Sequence, residues 1–327
     1  MKQQHDFHSL PVAIRVGSDN QWLRLRDGIE WWRFLKLLKK VDKTGPLGGR
    51  PRYDLMLMFR MVLLGQWHDL SDREVEQALR VRLDFMLFCG LTLTSEVPDQ
   101  NTVQLFRMKM IESGILPKCL KVLNKELERL GMKVSKGHLV LDSTIIEAAA
   151  RPRNITTISE DDDDPPRSST SADGDAAWTV KGNHNHYGYK EHALVDVDSG
   201  FIEDVDITPA NVHDGKMLEP MLKGRRGVEE LLADKAYASR RNRSYLESRG
   251  IKDRILRKAA RNHPLSEADT RHNRKISARR FVVEQQFGTK KRIFGFFRTR
   301  YFGTARVLGQ ALLKAICCNL LKASRML

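Results

Sequence analysis

Several classes of protein are excluded by what this chain has little of. Its four cysteines, Cys89, Cys119, Cys317 and Cys318, form no C-x-x-C pair. That argues against a zinc site or a disulfide framework and fits a reducing compartment. The opening residues MKQQHDFHSL hold no apolar h-region, and the greasy run LMLMFRMVLLG is short and broken by Arg60, so neither a signal peptide nor a membrane span is expected. No internal repeat is evident. Acidic residues are scarce: 41 Asp plus Glu against 56 Lys plus Arg give a net charge of +15. The excess is concentrated, with 19 basic and 5 acidic residues between Arg240 and Arg300, which is the footprint of a polyanion partner. A membrane surface competes for that reading. The stretch RNRSYLESRGIKDRILRKAARNHPLS lacks the clean apolar face of an interfacial helix, however, and nucleic acid is favoured.

At 327 residues the chain has material for one large domain or two ordinary ones. Up to about Met132 it reads helical. Ser71 followed by Glu74 predicts a capping box, after which Val75, Leu79 and Leu83 recur at helical spacing. After the break CGLTLTSEVPDQ a second helix carries Val103, Phe106 and Met110 on one face. The pair has the outline of a helix-turn-helix with Arg107 and Lys109 toward phosphate, though two-helix hairpins occur in any helical domain.

Beyond Val134 the period changes. HLVLDSTII, YKEHALVDVDSG, FIEDVDITPA, EELLAD and KDRIL read as strands, with DSG a hairpin turn between the second and third. Helices are expected at DGKMLEPML, SRRNRSYLESRG, around Glu284 and through ARVLGQALLKAICCNLL, where Cys317 and Cys318 would be buried. The expected fold is α/β, a mixed sheet flanked by helices and preceded by an all-helical region: 1–135 helical and DNA-binding, 136–327 the α/β part. Within the latter, residues at about 151–182 contain SEDDDDPPRSSTSADGD, too poor in apolar residues to offset ordering entropy, and are expected to form a mobile surface loop. An acidic metal cluster is the alternative there, disfavoured because adjacent aspartates repel one another.

Three carboxylates stand out. In FVVEQQFGTKKR, helical spacing sets Glu284 on the stripe of Phe281 and Phe287, beside Arg280 and Lys291, so it is expected to face the protein. There it needs either an ion pair with Arg280 or a metal ion. Asp142 interrupts the strand LVLDSTII and Asp234 ends LLAD; a strand-end or helix cap explains each alone. Together they form a set of hard oxygen ligands suited to Mg²⁺ or Mn²⁺, able to hold two ions that clamp a phosphodiester. His213 and Asp214 in NVHDGK are weaker candidates as ligands, Asp214 reading better as a cap. KGNHNHYGYK, with His184, His186, Tyr187 and Lys190, could contact phosphate or bases, and GFFRTRYF, with Arg298 and Arg300, could be core or a stacking platform.

The order Asp142, Asp234, Glu284 with Arg280-x3-Glu284-x6-Lys291 resembles the DDE transposases of bacterial insertion sequences, in the insertion-sequence-four and insertion-sequence-five group. VLDSTIIEA, HYGYKEHALVDVDSG, TPANVHD, LLADKAYAS and HNRKISARRFVVEQQFGTKKRIFGFFRTRYFG carry the likeness from about His138 to Gly303, and the helical region from Tyr53 through VPDQNTV extends it. The resemblance implies an RNase H-like catalytic domain with Asp142, Asp234 and Glu284 as catalytic metal ligands. It also implies two Mg²⁺ ions per site, with Mn²⁺ able to substitute, and strand cleavage and joining at element ends. Arg280 and Lys291 would meet DNA phosphate; Lys190, Tyr187, Arg298, Arg300, Arg107 and Lys109 are further DNA-contact candidates. Implied partners are double-stranded DNA, both terminal inverted repeats and target, and a second copy of the chain, in a bacterial cytoplasm. Ser277 stands where the family often has Tyr, and the short span from Asp234 to Glu284 leaves little room for the β insertion of some relatives. A structure-selective nuclease and a non-catalytic DNA-binding regulator remain the alternatives.

Overall fold

A computed structural model describes residues 9–41, 53–152, 154–157, 167–170, 172–259 and 264–327. Eight helices come first: α1 (Ser9–Val16), α2 (Gln21–Gly28), α3 (Trp32–Leu38), α4 (Leu55–Trp67), α5 (Asp72–Val81), α6 (Leu83–Cys89), α7 (Gln100–Glu112) and α8 (Leu116–Arg129). The Ser71–Glu74 capping box opens α5 as expected, and Asp99 caps α7 by accepting from Asn101 and Thr102 N–H. The two-helix hairpin expected there is interrupted. Leu83 does not extend α5 but begins α6, whose Phe85 and Phe88 are fully buried.

The second half holds β1 (His138–Glu147), β2 (Asn154–Thr157), β3 (Arg167–Thr170), β4 (Ala177–Lys181), β5 (His184–Asp196), β6 (Ile202–Pro209), α9 (Leu218–Leu222), β7 (Glu230–Ala233), α10 (Arg240–Ser248), β8 (Lys252–Ile255), α11 (Glu267–Arg292) and α12 (Thr304–Ser324). The central sheet runs β6-β5-β1-β7-β8. β1 is antiparallel to β5 and β5 to β6, whereas β1, β7 and β8 are parallel. This is the mixed sheet flanked by helices expected from the sequence. Between β7 and α11 stand only a 3₁₀ turn, α10 and β8 among the described residues, in keeping with the short span noted above. β1 is central, so Leu139, Val140 and Leu141 are buried on both faces. Gly188 on β5 is required for the pairing with β1: a Cβ there would lie 2.1 Å from the Ile146 carbonyl oxygen.

α12 organises the core. It packs on β6 and α11 and also on α2, α4, α7 and α8, so one apolar cluster runs from Trp22 to Ala323. Asn319 fixes the crossing, accepting from Ile202 N–H and donating to the Ile202 carbonyl and to Asn124 on α8. By length and composition α12 could cross a membrane, but 83% of its apolar window is buried inside the fold. Its hydrophobicity is that of a core helix.

The loop expected at 151–182 is corrected in part. The run Asp161–Asp164 lies outside the described residues. The C-terminal portion, however, is β4, paired with the start of β5 from Ala177↔Gly188 to Lys181↔His184. Just before it, buried Asp173 accepts from the Tyr189 hydroxyl at 2.6 Å and from Gly303 N–H, while Asp175 accepts from Thr304 N–H at the start of α12. Composition misled here because two aspartates buried or docked by hydrogen bonds read the same as solvated ones.

Candidate active site

The site forms where β1 and β7 end together. Their parallel register pairs Leu141 with Ala233, so Asp142 and Asp234 are the next residues on adjacent strands, with side chains on the same face. Asp234 then caps a 3₁₀ turn, Lys235–Tyr237, by accepting from Lys235 N–H at 2.7 Å. The cap read for it from sequence is therefore present, and the proximity to Asp142 is present as well.

Arg280 of α11 reaches both carboxylates. Its Nη2 donates to Asp142 Oδ2 at 2.7 Å, and its Nη1 lies 3.7 Å from Asp234 Oδ1. The Arg280 side chain is 9% exposed. Burial raises the Asp142 carboxyl above its ordinary range in spite of the opposing pull of Arg280 and the Ser143 N–H, and Asp234 adds to the rise. Tyr237 closes the floor. It is fully buried, its hydroxyl has no hydrogen-bond partner among the described residues, and burial together with Asp214, Asp142 and Asp234 pushes its pKa well up.

The helix that delivers Arg280 follows a different stripe from the expected one. Its inward residues are Ile276, Arg280, Val283, Phe287 and Lys290. At about 100° per residue Glu284 lies roughly 40° from Arg280, on the flank away from that stripe, and Phe281 about 60° farther round. Glu284 is accordingly exposed and Phe281 is 56% exposed. Neither faces the core, which corrects the expectation of an inward Glu284. Its carboxylate has no ion pair or hydrogen bond among the described residues, so the helix pair with Arg280 is not formed; Arg280 prefers the two buried aspartates. No group of three His, Cys, Asp or Glu side chains is arranged to hold a metal among the described residues. The donor set on the rim is nevertheless of hard oxygens: two adjacent carboxylates short of positive charge and a third, unpaired, one helical turn from the arginine between them. Hard oxygens are the donor type that a divalent cation of the Mg²⁺ type takes.

Lys291, about three turns along the same side of α11 from Arg280, donates to Thr144 Oγ1 at 2.7 Å and to the Ile145 carbonyl at 2.9 Å, docking α11 along β1 beyond Asp142. Burial, then the nearby Lys181, lowers its pKa. Lys190 pairs with Asp214 at 2.9 Å and donates to the Val212 carbonyl. His213, not Asp214, is the cap of the following 3₁₀ turn, its Nδ1 accepting from Gly215 N–H. His192 is buried against the Thr208 hydroxyl at 2.9 Å, and burial pushes its pKa down to about 4.

Other candidates for DNA contact divide. Lys109 and Arg298 are exposed. Arg107 turns inward instead, 5% exposed, paired with Asp72 at 2.5 Å and lying over the Tyr301 ring. The Tyr187 hydroxyl is taken by the Asp173 carbonyl, and Arg300 is held by Asp69 at 3.0 Å. His186 bonds Glu147 at 2.5 Å, and His184 is exposed. In the GFFRTRYF segment Phe296 is buried, whereas Phe297 and Phe302 are exposed. Sequence reasoning missed Tyr237, Thr144 and the Glu191 partner of Lys290. Tyr237 lay within a quoted motif, but nothing in one sequence pairs 191 with 290.

Comparison with known proteins identifies the family. The family described as Transposase DDE domain matches residues 134–320, and that described as Transposase domain (DUF772) matches residues 12–109. A transposase for insertion sequence element IS1106 from Neisseria meningitidis serogroup B is 40% identical over 224 residues, spanning 68% of this chain and 77% of the relative. Among solved structures, a piggyBac transposase synaptic complex with hairpin DNA aligns over 98% of this chain and 76% of its own, at 10% identity and a TM-score of 0.45. A Mos1 transposase paired-end complex with the left transposon end aligns over 83% and 88%, at 12% identity and a TM-score of 0.23.

Proposed function

Because this chain belongs to the DDE transposases of bacterial insertion sequences, we propose that it frees a 3′-hydroxyl at an element end and joins it to target DNA, with Asp142, Asp234 and Glu284 as the catalytic, cation-holding carboxylates. The observation that carries the reading is the adjacency of Asp142 and Asp234 across β1 and β7, with the unpaired Glu284 one turn from the arginine that spans them. Mg²⁺ held there, as two ions replaceable by Mn²⁺, would supply Lewis-acid charge at the attacking and leaving oxygens.

The remaining work falls to the chain itself. Lys291 and the exposed residues of the basic segment give DNA phosphate an electropositive seat along β1. Arg280 lies within reach of the same seat, and Lys190, Arg298 and Lys109 extend it. Burial of Tyr237, His192 and the floor of β1 keeps bulk water from the inner side of the aspartates, so charge placed on the rim acts in a poorly screened setting. Residues 1–135 bind the element ends, 136–327 carry the chemistry, and two copies act on a pair of ends in the bacterial cytoplasm.

The test is an assay on short duplexes carrying candidate terminal inverted repeats, with Mg²⁺ and a target duplex. Strand nicking at the end followed by joining is expected. Cleavage without joining would favour a structure-selective nuclease, and binding with neither would favour a non-catalytic regulator; either result rejects the proposal.

A further inference from the structure

We infer that Arg280 is an internal counter-cation for Asp142 and Asp234, one that must be displaced when a divalent cation is held there. The inference rests on the reading of the aspartate pair as a cation site. Its observations are geometric. Both Nη atoms of Arg280 face the pair, at 2.7 Å from Asp142 and 3.7 Å from Asp234. The Nε–H has no partner among the described residues, so the two carboxylates are what stabilises a guanidinium that burial would otherwise make costly. The carboxylates in turn depend on it: like charges on adjacent strands repel, and Arg280 bridges them.

A divalent cation and this guanidinium compete for the same two carboxylates, because their charges repel at that range. The coupling is reciprocal: Arg280 weakens cation binding by the factor by which the cation weakens the arginine's hold. Ile276 and Val283, buried on either side along α11, keep the backbone in place. Release therefore moves the side chain and not the helix, and it directs the freed guanidinium outward to the open rim beside Glu284. Arg280 is thus a positioning residue. It holds the carboxylates together before loading and turns toward phosphate after it.

The experiment is calorimetric titration of the full chain with Mn²⁺ alone, without DNA, comparing wild type with Arg280→Gln. Removing an internal competitor is expected to tighten Mn²⁺ binding by at least about fivefold. Equal or weaker affinity in a folded Arg280→Gln protein overturns the inference. Should that variant fail to fold, ¹⁵N-labelled wild type titrated with Mg²⁺ serves instead: the Arg280 Nε–H resonance should move and exchange several-fold faster at saturation, and an unmoved resonance during saturable binding overturns it. If wild type binds neither ion saturably, the cation site itself falls and this inference with it. Saturable binding indifferent to Arg280 removes the counter-cation role and leaves the site standing.

Discussion

Lys290 and Glu191, 99 positions apart, meet in a salt bridge whose side chains are 1% and 0% exposed. It ties the middle of β5 to α11, the helix that carries Arg280, Glu284 and Lys291. Removing one partner strands the other charge away from water. Lys290→Met or Glu191→Leu is expected to destabilise by about 3–5 kcal/mol, and the two together to recover most of it. Urea unfolding of the two single variants and the double variant measures this; a double variant as unstable as the sum of the singles refutes it.

Glu284→Gln separates structure from chemistry cleanly because Glu284 is exposed and unpaired. The melting temperature should change little, whereas Mg²⁺-dependent cleavage and joining should fall by orders of magnitude, as for Asp142→Asn and Asp234→Asn. Double variants should cost no more than the worst single one, since the three act as a unit. A folded Glu284→Gln protein that cleaves and joins at near wild-type rate would end the catalytic assignment.

Stability should fall as pH drops from 7 to 5. The pKa of His192 is depressed by burial to about 4, against an ordinary value of 6.5. Between those values the unfolded chain binds the proton and the folded chain does not, so folding loses ground as pH falls through that window and the loss levels off below about 4. A shift of this size corresponds to a loss on the order of 3 kcal/mol. His68, also lowered to about 4 by burial, acts in the same direction. Urea midpoints at pH 7 and 5 should therefore differ less in His192→Asn than in wild type; an unchanged difference counts against the role of His192.

Asp173→Ala removes the acceptor for Tyr189 OH and Gly303 N–H, the latter at the entrance to α12. Hydrogen bonds to a charged group contribute about 1.5–3 kcal/mol each, so a loss of about 3–6 kcal/mol is expected. Excision of residues 159–175 should be at least as damaging, contrary to what composition suggests. Thermal melts decide it: a melting temperature within experimental error of wild type would return this segment to the status of an undocked loop.

Arg107→Ala and Lys109→Ala, two positions apart, should have opposite signatures. Arg107 is sealed against Asp72 and Tyr301, so its loss should lower stability and leave the salt dependence of DNA binding unchanged. Lys109 is exposed, so its loss should spare stability and reduce the slope of log K against log salt by about 0.9 for one phosphate contact. Reversed signatures would place the DNA face on the other side of α7.

Much was legible in the sequence because it rests on local rules. The capping box at Ser71, the hairpin at Asp198–Gly200, the strands at 138–147 and 202–209 and the helix capped by Ser239 all follow from periodicity and backbone chemistry within a few residues. Asp142 and Asp234 were visible as acidic residues at the ends of apolar strands, which a cap also explains, but their adjacency across β1 and β7 was not. What the sequence could not determine is which face of a long polar helix turns inward. In α11 charged residues lie on every side, so the stripe is set by partners far away in the chain: Asp142 for Arg280, Thr144 for Lys291, Glu191 for Lys290. The same holds for Arg107 and Asp173, polar in the sequence and buried in the fold. A charge is stable inside a protein only when a distant residue neutralises it or accepts its hydrogen bond, and that partner is supplied by tertiary structure alone.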